Sequence, residues 1–258
     1  FDGIFVNWKF TNDRNDKNLN EKLIKLSQRF KIKKVIIDSR DSGIDKIQDN
    51  VVYGYDYVIK REKNKSITND KYLTTMLPCT LVDYDISKKK EIIKWNDIGK
   101  SKPNEVMKYD IFFSGKATSK YRNEIVDILN NKKYNFKGGL ENSIVSYEQY
   151  LTSIYESSIN LALEGKGEFT FRHLEILANC SFMMCENSIN QIDLPMPIKD
   201  GEHFVSFKDT NDLVEKIEFY LKNEKERKTI ALKGRKLLEQ YYSPTKHGEK
   251  ILNEIFSK

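Results

Sequence analysis

The feature that most constrains the fold of this chain is the alternation of short apolar runs with helix-like patterns. The apolar runs are strand-sized and end in polar or glycine residues, as at 34–38 and 110–115. Between them, apolar residues recur at helical spacing, for example over 19–30. Buried strands that alternate with amphipathic helices form parallel sheets. The sequence therefore predicts an α/β fold, in which the apolar pair Val51 and Val52 is also expected to be a strand.

Composition excludes several classes of protein. The 258 residues are 39% hydrophobic, which is enough for a sizeable core, and no apolar run approaches the roughly 18 residues of a membrane-spanning helix. The three cysteines, Cys79, Cys180 and Cys185, lack the CxxC spacing of a zinc site and do not form a disulfide framework. The net charge of +6 comes from 44 basic and 38 acidic residues that are interleaved, which indicates a solvated surface rather than a nucleic-acid site.

A connector divides the chain into two parts. The stretch 87–107 contains a run of lysines, Gly99 and Pro103 but few apolar pairs, so we predict two domains, 1–108 and 109–258. Ligands of open parallel sheets bind at the carboxyl ends of the strands. We therefore expect the chemistry in the loops that follow Asp38, Ser114, Leu163 and Cys185.

The most informative stretch is 163–180. Thr170 is a natural N-cap, and a helix that begins after it places an apolar set on one face and a polar set on the other. The apolar set is Phe171, Leu174, Leu177 and Ala178, and the polar set is Arg172, Glu175 and Asn179. A glycine loop, a helix N-terminus and an arginine together favour a diphosphate, and Glu175 is placed to accept hydrogen bonds from a ribose or sugar diol. The same segment is also compatible with an ordinary surface helix that carries an Arg–Glu pair.

This segment resembles the donor-binding half of the GT-B nucleotide-sugar glycosyltransferases. The glycine loop, Phe169, the helix and its small-residue ending are most similar to the glycosyl transferases group 1 type and to the related spore-maturation-like proteins. In many of these enzymes one Glu lies in the loop and a second, on the helix, holds the donor ribose; Glu175 matches the second. The sequence departs from the pattern at Gly167, where the first Glu is usual, and at Cys180, where a Gly is usual. Glu168 and Glu164 are the candidates to replace the missing carboxylate.

The resemblance covers 109–258 and implies a GT-B-like fold, in which two Rossmann-like domains face one another across a cleft. Residues 1–108 are then a short or truncated acceptor-side domain, and 109–258 form the donor-binding domain. The residues implied in donor binding are Ser114, Gly115, Lys116, Arg122, Glu164, Gly165, Lys166, Gly167, Thr170, Phe171, Arg172 and Glu175.

The implied function is transfer of a sugar from a nucleoside-diphosphate sugar to a glycan, lipid-linked or protein acceptor. The resemblance favours chemistry without a metal or other cofactor. The few cysteines indicate a reducing compartment, so by default we expect a cytoplasmic protein, with peripheral contact with a membrane left open. All three histidines lie in the second half, so a base in the first domain must be a carboxylate, and Asp38 and Asp41 are best placed. The DxD of Asp83 and Asp85 is expected once by chance, and we assign no metal site to it.

Two alternatives remain open from the sequence. The first is a CAP10-like protein O-glucosyltransferase, whose C-terminal segment also runs from a glycine-rich loop through a helix into a strand. The second is a non-catalytic nucleotide-binding module, because the first Glu of the family pattern is absent. A nucleic-acid partner is not expected, since the aromatic residues sit within apolar periodicities.

Overall fold

The computed structural model describes residues 2–7, 17–40, 47, 49–75, 81–85, 87–94, 107–141 and 146–257, with the backbone alone at 17–20, 50 and 82–85. By their contacts the residues form two units. The first unit comprises Phe1–Leu77, Gln191–Pro195 and Ser243–Lys258, and the second comprises Pro78–Asn190 and Met196–Tyr242.

The first unit is built on a four-stranded parallel sheet. Its strands are β1 (Gly3–Asn7), β2 (Lys33–Asp38), β3 (Tyr57–Lys60) and β5 (Tyr72–Thr74), in the order β1-β2-β3-β5. A short antiparallel pair joins β4 (Lys63–Asn64) to β12 (Ile192–Asp193). Its helices are α1 (Lys17–Phe30), α2 (Asp49–Tyr53) and α8 (Pro244–Phe256).

Helix α8 belongs to the first unit because it covers one face of that sheet. Neighbouring side chains of β2 point to opposite faces. Ile36 joins one buried cluster, whereas Val35 packs with Ile59, Ile251 and Ile255, the last two from α8. The division into units therefore differs from the boundary between 108 and 109 that the sequence predicts, since a C-terminal helix completes the N-terminal sheet.

The second unit contains a five-stranded parallel sheet in the order β13-β11-β10-β8-β9. These strands are β8 (Tyr109–Gly115), β9 (Phe136–Leu140), β10 (Ser157–Ala162), β11 (Met183–Glu186) and β13 (Val205–Phe207). The antiparallel pair β6 (Val82–Asp85) and β7 (Lys90–Ile93) also lies in this unit. Its helices are α3 (Lys120–Asn131), α4 (Tyr147–Tyr155), α5 (Phe171–Ala178), α6 (Thr210–Lys222) and α7 (Glu224–Tyr241), and a 3-10 helix spans Asn187–Gln191.

Helices cover both faces of the second sheet. On one face, Ile111 and Phe113 of β8 pack into a cluster that includes Ile125 of α3 and Ile217 of α6. On the other face, the ring of Phe112 lies 5.6 Å from that of Tyr150 in α4. A parallel sheet with helices on both faces is a doubly wound fold, which confirms the predicted α/β class.

One glycine is required for the pairing of β8 with β9. Gly138 has a φ of +108°, and a Cβ at this position would lie 1.8 Å from the carbonyl oxygen of Phe113 on the neighbouring strand. No side chain can occupy that space without separating the two strands. The edge strand β9 therefore keeps its register, with Phe113 opposite Gly138, because residue 138 lacks a Cβ.

Two sequence-based expectations can be compared directly with the structure. The predicted strand at Val51 and Val52 is wrong, because both residues lie in α2, with Val52 buried. Among the described residues, no helix is long and apolar enough to cross a membrane.

Candidate functional site

The strand order of the second sheet creates a crevice between β8 and β10. These are the first and third strands of the sheet in chain order, and at this point the order reverses direction. In doubly wound sheets the ligand lies outside the carboxyl ends of the strands at such a reversal. The residues at these ends are Ser114 and Gly115, the last two of β8, and the loop that begins at Leu163 after β10. The topology therefore brings the two predicted donor-binding loops together.

Arg122 ties these two loops to each other. It lies in the first turn of α3, and its backbone N–H donates to Oγ of the N-cap Ser119 at 3.2 Å. Its guanidinium is buried and donates to the carbonyl oxygens of Lys116, at 2.9 Å, and Leu163, at 2.7 Å. Removing Arg122 would leave both loop carbonyls without this donor.

Arg172 lies in the first turn of α5 and contacts the end of β8. Its Nη2 donates to the carbonyl oxygen of Ser114. The guanidinium carbons of Arg172 and Arg122 lie 4.9 Å and 5.4 Å from the centroid of the Phe113 ring. One aromatic ring therefore supports two cations through cation–π contacts.

The two guanidinium groups repel each other. Burial first, and next the charge of Arg172, lower the pKa of Arg122 to about 10, against smaller opposing effects of Glu186 and Glu164. Arg122 still carries its proton at neutral pH. A bound anion would relieve the repulsion, and a diphosphate, which presents several oxygens to planar N–H donors, matches this pair of cations.

Gly115 makes the close approach possible. A Cβ on Gly115 would lie 3.3 Å from Nη1 of Arg122, 3.3 Å from Nη2 of Arg172 and 3.0 Å from the Phe113 ring. Each contact is tighter than ordinary van der Waals packing. A side chain at residue 115 would therefore displace both guanidinium groups.

Glu175 lies one turn further along α5 and is only 7% exposed. The hydroxyl of Tyr147 donates to its Oε1 at 3.1 Å, and the hydroxyl of Tyr150 donates to its Oε2 at 2.9 Å. Burial, and next the charge and hydrogen bond of Glu175 against the opposing charge of Arg172, raise the pKa of Tyr150. Its phenol is therefore a permanent donor to the carboxylate. The donor-binding residues predicted from the sequence include neither of these two tyrosines.

A cavity of about 460 Å³ connects these groups. Eight of the predicted donor-binding residues line it together with the two tyrosines: Ser114, Gly115, Lys116, Arg122, Thr170, Phe171, Arg172 and Glu175, with Tyr147 and Tyr150. The other four predicted residues, Glu164, Gly165, Lys166 and Gly167, form the adjacent loop and do not line the cavity. Within that loop, a Cβ on Gly165 would lie 3.5 Å from Nη2 of Arg122.

Helix α5 begins where the sequence predicts, but its buried surface differs from the predicted apolar face. Thr170 is its N-cap, and the N–H of Thr170 donates to Nδ1 of His173 at 3.0 Å. Phe171 was predicted on the apolar face but is 43% exposed and lines the cavity. Asn179 was predicted on the polar face but is buried, as Glu175 is. Leu174, Leu177 and Ala178 are buried as predicted. Part of the polar face is buried as well because α5 is covered on more than one side, with α7 packed against it where Gly234 leaves room.

His173 is a neutral structural residue. It is completely buried and stacked on Phe169, with ring centroids 4.8 Å apart. Burial, the largest cause, lowers its pKa to about 3. The imidazole therefore carries no positive charge near neutral pH, and its contact with Thr170 fixes the start of α5.

A pair of carboxylates, Glu164 and Glu186, lies where β10 and β11 end. Both oxygens of Glu186 accept from the N–H of Glu164, at 3.1 and 3.0 Å, and the hydroxyl of Ser188 donates to Oε1 of Glu164. Burial first, and then the charge of Glu164, raise the pKa of Glu186 to about 7. This pair fixes the loop that follows Leu163.

The raised pKa predicts how stability depends on pH. The folded protein binds a proton at Glu186 that the unfolded chain releases above pH 4.5, so the stability from this group falls as the pH rises from about 4.5 to 7. Glu186→Gln should remove that dependence. We expect the wild type to lose about 1 to 3 kcal/mol more than the variant between pH 5 and 8, measured by urea denaturation. An equal loss in both proteins would contradict the assignment.

Asp38, predicted as a base, lies at the carboxyl end of β2 in the first unit. Its fully buried carboxylate accepts from Nζ of Lys60 at 3.2 Å and from Nε and Nη2 of Arg40, both at 2.9 Å. Burial alone would raise the pKa of Asp38, but the hydrogen bonds and charges of Arg40 and Lys60 outweigh it and lower the pKa. A carboxylate held by two cations is a poor proton acceptor, and here it neutralises the fully buried Lys60. Asp41 lies outside the described residues.

The DxD motif lies in β6, where Asp83 and Asp85 pair with Ile92 and Lys90; the side chains of this strand are outside the described set. In the part of the chain whose side chains are described, no group of three His, Cys, Asp or Glu residues could hold a metal ion.

Comparison with known proteins identifies the family. The family model described as glycosyl transferase-like matches residues 117–253, which is more than half of the chain. No curated protein sequence matches this chain.

Solved structures share the fold at low sequence identity. TarM of S. aureus has a TM-score of 0.59 at 12% identity, covering 98% of this chain but only 54% of TarM. An alpha-glucosyltransferase has a TM-score of 0.60 at 13% identity, covering 100% and 80% of the two chains. HepE of Anabaena has a TM-score of 0.59 at 10% identity, covering 100% and 78%. These proteins are GT-B glycosyltransferases, which confirms the predicted GT-B-like fold type with Rossmann-like domains. Together with the family model, they confirm the resemblance recognised in the sequence: the chain belongs to the glycosyl transferase-like family.

Proposed function

We propose that the protein is a glycosyltransferase that uses a nucleoside-diphosphate sugar as donor. The observation that carries this proposal is that the buried guanidinium of Arg122, the half-buried guanidinium of Arg172 and Glu175 line one cavity, at the strand-order reversal of a doubly wound sheet. The cations match a diphosphate, and the carboxylate matches the hydroxyls of a ribose. Membership of the glycosyl transferase-like family supports the same reaction class.

The site residues would act on the leaving group. In the reaction, the bond between the anomeric carbon and the diphosphate oxygen breaks, and the oxygen of the acceptor hydroxyl bonds to that carbon. The acceptor proton passes to a base, and the nucleoside diphosphate leaves. Arg122, Arg172 and Lys116 would neutralise the charge that develops on the diphosphate, which lowers the barrier to bond cleavage. Phe171 would offer an apolar surface beside the transferred sugar.

UDP is the first nucleotide to test. The solved structures of S. aureus TarM, of the alpha-glucosyltransferase and of HepE are complexes that contain UDP. We propose a metal-independent reaction, because the two arginines supply the positive charge that a metal ion would otherwise provide. The proposed acceptor is a glycan or glycoconjugate, either lipid-linked at a membrane surface or attached to protein.

The decisive experiment is an assay of sugar release from a panel of UDP-, GDP-, ADP- and CMP-sugars, with and without EDTA. We expect one donor class to be hydrolysed slowly at the same rate in both conditions. Nucleotide binding without release of sugar would instead favour the non-catalytic module. Loss of turnover in EDTA would overturn the metal-independent mechanism, and failure of every nucleotide to bind would overturn the proposal.

Arg172→Ala should weaken binding of the nucleoside diphosphate. Loss of a charge-assisted hydrogen bond costs about 1.5 to 3 kcal/mol, which corresponds to roughly 10- to 150-fold in affinity. Calorimetric titration with UDP measures this change.

Arg227→Ala is a matched control for that variant. Arg227 also donates to backbone carbonyls, those of Tyr220 and Leu221, and is buried, but it does not line the cavity. We expect Arg227→Ala to lose stability and keep the wild-type affinity. Equal affinity of the Arg172 variant and the wild type would exclude a phosphate-binding role for Arg172.

A further inference from the structure

The hydroxyls of Tyr147 and Tyr150 are hydrogen-bonded to Glu175, the residue to which the proposed function assigns binding of the donor ribose. Tyr147 and Tyr150 each donate to a different oxygen of Glu175. A ribose diol would present two hydroxyl donors to the same two oxygens. Glu175 is only 7% exposed, so the residue offers a ribose little open surface. A ribose hydroxyl that bonds to either oxygen therefore competes with the tyrosine hydroxyl already bonded there.

Tyr147 and Tyr150 differ in burial and in their ring contacts. Tyr150 is half-buried and packs against two rings, those of Phe112, at 5.6 Å, and Tyr147, at 6.0 Å. Tyr147 lies in the first turn of α4, is 45% exposed and stacks by one face on Tyr150. Rotating Tyr147 toward solvent loses one ring contact, whereas moving Tyr150 would disturb its contacts with two rings.

We propose that Tyr147 is a displaceable latch on Glu175 and that Tyr150 is its fixed positioning residue. This inference rests on the proposed function. When the donor binds, a ribose hydroxyl replaces the Tyr147 hydroxyl on Oε1, while Tyr150 keeps the carboxylate oriented through Oε2. In the absence of donor, the closed latch gives Oε1 of this buried residue a hydrogen-bond donor. Only molecules with an open latch can bind the ribose. The apparent affinity for the donor is therefore the intrinsic affinity multiplied by the open fraction.

The test compares two conservative variants and two nucleotides. Tyr147→Phe and Tyr150→Phe keep the rings and remove only the hydroxyls. Calorimetric titration with UDP and with 2′,3′-dideoxy-UDP, which lacks the ribose diol, separates effects at Glu175 from effects elsewhere in the cavity. Circular dichroism of each variant checks that the fold is intact.

We expect opposite effects of the two variants on UDP. Tyr147→Phe should bind UDP about 3- to 10-fold more tightly, because no hydroxyl competes with the ribose. Tyr150→Phe should bind UDP about 10-fold or more weakly, because Glu175 loses the donor that orients it. Neither variant should change the affinity for dideoxy-UDP, and a general loosening of the fold would not produce this pattern.

Three results would overturn the latch. The first is unchanged or weaker binding of UDP by Tyr147→Phe, and the second is an equal gain for dideoxy-UDP. The third is tighter binding by both variants, which would make Tyr150 a second competitor. If neither the wild type nor Tyr147→Phe binds UDP, GDP or ADP, the proposed function fails together with the latch. If only the variant binds, the latch is supported.

Discussion

Gly138→Ala should destabilise the second unit by about 3 to 5 kcal/mol, the range of strained or overpacked core substitutions. The new Cβ would lie 1.8 Å from the carbonyl oxygen of Phe113, and that oxygen cannot move without breaking the pairing of β8 and β9. The positive φ adds strain that an L-residue does not relieve. Urea denaturation followed by circular dichroism measures the loss. Because β8 carries Ser114 and Gly115, nucleotide binding should weaken as well.

Gly201→Ala separates the cost of the close contact from the cost of the positive φ. Gly201 also has a positive φ, +73°, but a Cβ there would meet no atom within 4 Å. We expect a cost of about 1 kcal/mol, that of the backbone conformation alone. If both variants lose the same small amount of stability, the close contact between β8 and β9 is not what requires glycine at residue 138.

Asp38→Ala should destabilise the first unit by about 3 to 5 kcal/mol, because it leaves the fully buried Lys60 without its carboxylate. Arg40 is one-third exposed and can turn to solvent, whereas Lys60 cannot. Amide hydrogen exchange in β2 and β3 reports the loss within that unit. The lowered pKa of Asp38 means that its stabilising effect is present above about pH 4 and fades at more acidic pH.

Two further variants test whether the loss of stability in Asp38→Ala comes from the unpaired charge of Lys60. Asp193→Ala removes an ion pair with Lys63 whose carboxylate is half exposed, and its cost should stay below about 1 kcal/mol. Asp38→Ala combined with Lys60→Met removes both buried charges and should recover most of the stability lost in the single variant. A single Asp38→Ala variant that unfolds like the wild type but lacks activity would instead support the catalytic role predicted from the sequence.

Regular features of the fold were predictable from the sequence. The apolar runs that became β2, β8 and β11 are buried strands of parallel sheets, and such strands consist of nearly continuous apolar residues. Thr170 marks the start of α5 because its type and position match an N-cap. The error at Val51 and Val52 has a simple cause. Two β-branched residues in a single helical turn carry too short a pattern to distinguish a helix from a strand.

The arrangement of the site was predictable only in part. The glycine turns and the two arginines are local signals, and the structure places Arg122, Arg172 and Gly115 together. The burial of Glu175 depends on Tyr147 and Tyr150, which come from another helix, so no spacing within 163–180 predicts it. A tyrosine pair three residues apart at the start of a helix was the available signal, but its partner is distant in sequence.

The packing of α8 sets the order in which the polypeptide can mature during synthesis. Val35 and Ile59 are translated early, but Ile251 and Ile255, which cover them, emerge from the ribosome after the whole second unit. Until then the nascent first sheet has one apolar face without its native cover, while the second unit can already acquire its core. A chaperone that binds exposed aliphatic surface would therefore find its target on the nascent first sheet, and release would follow translation of α8.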